Sequence, residues 1–175
     1  MQCRNIEVFF EGTEVPSFIE VIFMIIPEQI QFMAEQHLAG SDKFVVHVKV
    51  RPGNRILVFI DSDTAVSIAD CAQLSKFIES NLNRDKEDFE LEVSSAGLDF
   101  PLTLKRQYKK NIGKEIKIIC KNGIVNNGVI IDVSEDNFTI SKNIETKINK
   151  KKIITQELAT LAFEEIKETK LVVKI

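Results

Sequence analysis

Polar and apolar positions alternate at two different periods along this chain, and each change of period marks a new element. After Pro27, the residues Ile30, Met33, Ala34, His37 and Leu38 fall at i, i+3, i+4, i+7 and i+8, the spacing of a helix with one apolar stripe. Pro27 suits a first helical turn, and Gly40 can close the helix in left-handed geometry. From Lys43 to Val50 the period drops to two, with Phe44, Val46, Val48 and Val50 set against Lys43, Val45, His47 and Lys49. Pro52-Gly53-Asn54 signals a turn, and Arg55 to Asp61 returns as a second strand, so a hairpin is expected. Ser67 can cap a second helix, with Asp70 reaching back from the third position. Its stripe reads Ile68, Cys71, Leu74, Ile78 and Leu82. Phe89, Leu91 and Val93 then alternate with Glu90, Glu92 and Ser94, which reads as a half-buried strand. The first part is therefore α-β-β-α-β, two helices on a three-stranded sheet.

Ser94-Ser95-Ala96-Gly97 interrupts that alternation with small residues, and Pro101 biases Phe100 toward extended geometry. Beyond Pro101 the pattern becomes short strands with frequent turns. Lys114 to Cys120, Val129 to Val133, Phe138 to Ser141 and Leu171 to Ile175 read as strands, with Asn-Gly turn signals at Asn122 and Asn127. Ile144 to Ala162 reads as an extended hairpin with a Lys-rich tip, and Glu164 to Lys167 as a short helical turn. Five short strands in about 65 residues fit a small barrel. The fold class is α+β, an α/β domain followed by a β-barrel.

Charge divides the chain at the same place. Residues 24–99 carry a net −6 and residues 100–175 a net +6, while residues 1–23 add −3. Lys105, Arg106, Lys109 and Lys110 follow directly after the junction with Tyr108 among them, and Lys147, Lys150, Lys151 and Lys152 form a second cluster. On a helical turn, 105 would stack on 109 and 106 on 110. Such clusters attract RNA phosphate through counterion release, or serve only solubility. Tyr108 is the single aromatic available to them for base stacking. The acidic first domain suits a basic protein partner instead.

Glu92-Val-Ser-Ser-Ala-Gly-Leu-Asp-Phe-Pro-Leu102 resembles the junction signature of the bacterial ribosome maturation factor RimP family, Glu-Val-Ser-Ser-Pro-Gly-Leu-Asp-Arg-Pro-Leu. It departs at Ala96 and at Phe100, where the family has Pro and Arg. Leu57-Val-Phe-Ile-Asp61 followed by Val66-Ser-Ile-Ala-Asp-Cys71 is a second match, and Tyr108 and Gly113-Lys114 extend the likeness downstream. The resemblance spans roughly 25–175. It implies that the barrel is Sm-like or SH3-like and that Ser94, Ser95, Gly97, Leu98, Asp99 and Pro101 form a domain junction. It also implies a non-enzymatic, monomeric, cytoplasmic factor that binds free small (30S) subunits, touching ribosomal RNA and a basic small-subunit protein. The ribosome-facing candidates are Lys105, Arg106, Tyr108, Lys109, Lys110, Lys150, Lys151 and Lys152. A general Sm-like RNA-binding module that assembles into rings is the rival reading.

The expected domains are 25–97 and 104–175 with a hinge at 98–103. The apolar run Phe18 to Ile26 is short, interrupted by Glu20 and bracketed by Pro16 and Pro27, and acidic residues precede it, the wrong sign for a signal peptide. Met24 is read as the biological start, with an added edge strand as the alternative for residues 1–24. Cys3, Cys71 and Cys120 are odd in number and widely spaced, which argues against a disulfide framework and for a reducing compartment. His37 lacks a second ligand at metal spacing, His47 sits on a polar strand face, and Cys71 reads as a small core residue. Asp61-Ser62-Asp63 matches half of a calcium loop without its Gly and Glu, so it reads as a turn. Neither a phosphate-binding glycine loop nor a catalytic triad motif is present in the sequence, so no catalytic residue, metal or cofactor is expected.

Overall fold

A computed structural model describes residues 25–97, 100–148 and 151–172; for 144–148 and 151–154 it describes the backbone path alone. The readings for residues 1–24 lie outside it.

The first part builds α1 (Pro27–Leu38), β1 (Lys43–Arg51), β2 (Arg55–Ser62), α2 (Ile68–Asn81) and β3 (Glu90–Ser95), in the expected order. The sheet order is β1-β2-β3; β1 and β2 form the hairpin, and β2 pairs parallel with β3 across the α2 crossover. Both helices cover one face. Ile30, Ala34 and Leu38 of α1 meet Leu74 and Ile78 of α2 over Val48, Ile56, Val58, Ile60 and Phe89. The Ser67 side chain accepts from the Asp70 amide while Asp70 accepts from the Ser67 amide, completing the capping box.

Three details differ from the sequence pattern. Ile68, the first helical residue after the cap, is 91% exposed, so the buried stripe of α2 begins a turn later. A bulge between Val45 and His47 adds one residue to β1 and flips the alternation. Val45 therefore joins Val48 and Val50 against the helices, whereas Phe44 lies on the other side. The third strand also runs on through Ser94 and Ser95 before the chain turns at Gly97, whose φ of +49° falls in the left-handed region.

The second part contains α3 (Lys105–Lys110), β4 (Glu115–Cys120), β5 (Val125–Val133), β6 (Asn137–Ile148), β7 (Lys151–Ala162), a 3₁₀ turn (Phe163–Glu165) and β8 (Ile166–Leu171). The five strands form one antiparallel sheet in the order β7-β6-β5-β4-β8. Among the described residues β7 and β8 do not pair with each other, so the expected barrel is an open, rolled sheet. Its corner is fastened by single bonds instead: the Phe163 amide donates to Asp136 O, and the Lys121 amide to Glu165 O. The sheet still encloses one core, in which Ile116, Ile118, Cys120, Ile130, Phe138 and Ile140 pack with Leu102 and Tyr108.

The last strand starts at Ile166, earlier than expected, because Ile166 to Leu171 must register with β4. Gly128 is required where β5 runs between β4 and β6: a Cβ there would stand 2.7 Å from the Ser141 carbonyl oxygen. β6 pairs with β5 only as far as Ser141, and from Lys142 to Ile148 its partner is β7 alone. The expected long hairpin is thus present, and its outer part projects as a two-stranded ribbon.

Among the described residues no helix is long and apolar enough to cross a membrane, and no three His, Cys, Asp or Glu side chains cluster at metal-binding distance.

Candidate functional site

The charge-bearing residues converge where the two parts meet, and α3 is the element that brings them together. The short helix starts without a side-chain acceptor at Leu104. Gln107 reaches back over that start, its Oε1 accepting from the amides of Thr103 and Leu104 just before the helix at 2.9 and 3.1 Å. Tyr108 anchors the helix below. Its ring is 3% exposed and stacks with Phe138 and Phe163 at centroid distances of 4.9 and 5.0 Å, and burial pushes its phenol up from the ordinary tyrosine range. The expectation that Tyr108 offers an aromatic surface beside the lysines is corrected by that placement: a helix this short has one buried face, and Tyr108 fills it.

With 107 and 108 inward, the four cations fall on two flanks. Lys105 and Lys109 lie on one, within 3.5 and 4.0 Å of the Glu135 carboxylate, all three exposed. Such exposed pairs are worth little, so this flank stays available to an external anion. Arg106 and Lys110 lie on the other and cross to the first domain. Arg106 grips Asp63 with two hydrogen bonds, Nε at 2.7 Å and Nη2 at 2.5 Å, and Nη2 also donates to the Asp42 carbonyl at 3.1 Å. Its guanidinium lies 4.4 Å from the centre of the Phe44 ring. Lys110 Nζ donates to Asp61 Oδ1 at 2.6 Å, where both side chains are largely shielded from solvent. Gln107 Nε2 reaches the other Asp61 oxygen at 3.2 Å.

Electrostatics follow from these contacts. The Arg106 hydrogen bond holds the Asp63 carboxyl below the ordinary aspartate range, and Asp63 in turn raises Arg106. Asp42 is held lower still, first by the Thr64 hydroxyl, then by Ser62 and Lys43. Its carboxylate thereby braces the loop that presents Asp63, since Ser62 Oγ and Thr64 Oγ1 both donate to it. Asp61-Ser62-Asp63, read from sequence as a turn, is thus also the acidic half of the domain seam. In the sequence Asp61 and Asp63 read only as turn residues and Gln107 does not stand out; opposite charges 43 to 49 residues apart leave no local signature, though the −6 and +6 halves pointed to such a meeting.

Beside this seam lies a cavity of about 190 Å³, lined by Asp61, Ser95, Gly97, Lys110, Asn111 and Lys114. Of the junction residues, Ser94 and Ser95 belong to β3, Gly97 makes the turn, and Pro101 is half-buried. The Ala96 amide donates to Ile60 O and the Leu102 amide to Thr169 O, so each domain holds one end of the connection. Phe100 lays its ring on Phe59 at 4.8 Å, against the side of the first sheet opposite the helices. Leu98, Asp99 and Lys150 lie outside the described residues, and Lys151 and Lys152 are placed by backbone only, at the start of β7. The thiol of Cys71, half-buried on α2, is pushed up first by burial and then by Asp70, as befits a packing residue.

Residues 33–99 match the family model of the RimP N-terminal domain. Curated relatives over 148 residues, 83% of this chain, include the ribosome maturation factors RimP of Porphyromonas gingivalis, 39% identical over 97% of that protein, and of Flavobacterium psychrophilum, 34% identical over 96%. That of Christiangramia forsetii is 32% identical over 97% of its length. With the α-β-β-α-β domain, the junction and the rolled sheet all in place, the chain belongs to the RimP family of ribosome maturation factors.

Proposed function

We propose that this protein acts in ribosome maturation by binding the free small subunit in the cytoplasm and supporting its late assembly as a monomer, without bond chemistry. The observation that carries the reading is α3: four cations within six residues, set at the seam of an acidic and a basic domain and anchored by a buried aromatic ring. The names of the relatives point to the same process. The basic part, with α3 and the Lys-rich hairpin of Lys150, Lys151 and Lys152, meets ribosomal RNA through its backbone. The acidic part meets a basic small-subunit protein. Binding one conformation of the immature subunit in preference to others shifts its population toward the competent form.

Co-sedimentation of the full chain with free small subunits, large subunits and whole ribosomes tests this. Selective pelleting with small subunits, lost in Lys105/Arg106/Lys109/Lys110→Ala, is expected. Equal binding to all three particles would overturn the assembly role and leave a general RNA-binding module.

A further inference from the structure

All four α3 cations have an anionic partner, but only for Arg106 and Lys110 does that partner belong to the other domain. Asp63 takes the fork of Arg106 in the bidentate way a phosphate would, and Asp61 takes Lys110. The cavity at this seam has Lys114 on its wall beside Lys110, and Lys114 has no ion-pair partner among the described residues. An extended polyanion reaching Lys105 and Lys109 on the exposed flank meets Arg106 and Lys110 one position further on, already engaged.

We propose that α3 is an RNA-phosphate site closed by the first domain: the carboxylates of Asp61 and Asp63 stand in for phosphates on Lys110 and Arg106, so RNA binding at α3 and closure of the seam exclude each other. This rests on the reading of α3 as an RNA contact. The seam is built for exchange. Its outer ion pair is open to solvent, Arg106 and Asp63 being 43% and 48% accessible, while Lys110 and Asp61 lie deeper beside the cavity. RNA that displaces the carboxylates also frees Asp61 and Asp63 at the end of β2 for a cationic partner. Engagement of RNA would therefore expose the acidic surface proposed to meet a basic protein, and the two contacts would form in order.

The test is binding of a fluorescent single-stranded oligouridylate to the full chain at several salt concentrations. Three variants are compared with the wild type: Asp61→Asn/Asp63→Asn, Asp63→Asn alone, and Lys105/Arg106/Lys109/Lys110→Ala. Removing the competing carboxylates tightens binding by about tenfold for the pair, with part of that gain in Asp63→Asn, whose half-exposed pair with Arg106 makes its loss only a small reduction in melting temperature. The salt dependence steepens by about 0.7 for each cation freed, because phosphate no longer replaces an internal anion. The alanine variant binds weakly. If it weakens while the asparagine variants bind as wild type or worse, the competition is refuted and the RNA reading stands. If the alanine variant binds as well as wild type, α3 is not the RNA site and both readings fall.

Discussion

The anchoring of α3 can be read directly, because Tyr108 is the single tyrosine of a chain without tryptophan. Every tyrosine signal of the protein therefore reports the packing of this helix on the rolled sheet. Phe138→Ala removes the ring, 1% exposed, that packs on both Tyr108 and Phe163 at 4.9 and 5.2 Å. Deleting a fully buried phenylalanine costs about 3–5 kcal/mol, to which the lost ring pairing contributes about 0.5–1.5 kcal/mol. A small domain has about 5–15 kcal/mol in total, so this one change removes a large share of it and lowers Tm by more than about 10 °C. The phenol provides an independent check. Burial raises its pKa in the folded state, so wild-type phenolate absorbance appears at higher pH than for free tyrosine. The sign follows: the neutral phenol stabilises the fold below its unfolded pKa, and that contribution is lost as pH rises through the folded value. In Phe138→Ala the titration moves back toward the free value as the helix loosens, and near-ultraviolet circular dichroism fades. A wild-type phenol that titrates as free tyrosine, or a Phe138→Ala protein melting within a degree or two of wild type, would refute the placement of Tyr108 in the core.

Other outcomes follow from single contacts. Gly128→Ala drives a methyl against the Ser141 carbonyl and costs about 1–3 kcal/mol of overpacking, measured by urea unfolding, whereas the exposed neighbour Asn127→Ala leaves the midpoint unchanged. Ser67→Ala loses the α2 cap and about 1 kcal/mol; an unaltered midpoint would mean the cap does not hold the helix start. Asp42, Asp63 and Asp70 all sit below the ordinary carboxylate range in the folded state, so their stabilisation is present above about pH 4 and is lost as pH falls through the folded values. The urea midpoint should drop as pH falls below about 4, and a flat profile there would contradict the hydrogen bonds drawn to these three.

The parts legible in the sequence were those governed by neighbours a turn or a strand away. The α1 stripe, the Ser67–Asp70 box, the hairpin turn and the hairpin read over Ile144 to Ala162 all depend on spacings of two to four residues or on turn chemistry. What escaped depends on the third dimension. Spacing gives the period of α2 but not its phase, so Ile68 was placed on the stripe although it faces solvent. One extra residue in β1 reverses every side chain before it, and nothing in Val45-Val46-His47 announces the bulge. Tyr108 and the cations around it share one short helix, and which of them faces inward is decided by Phe138 and Phe163, 30 and 55 positions away. Phe100, where the family pattern has Arg, gains its meaning from Phe59 on a strand of the other domain.

The ribbon of β6 and β7 gives the molecule reach. From Lys142 to Ile148 the strand is backed by one neighbour alone, and at a rise of about 3.3 Å per residue it carries Ile148 roughly 20 Å beyond the last rung shared with β5. A pair of strands with no third layer is barely stable by itself in water. It behaves as a compliant arm on a stiff base, able to bend to the surface it meets and to gain rigidity from it. In the proposed function this ribbon would be a second point of contact, set well apart from α3.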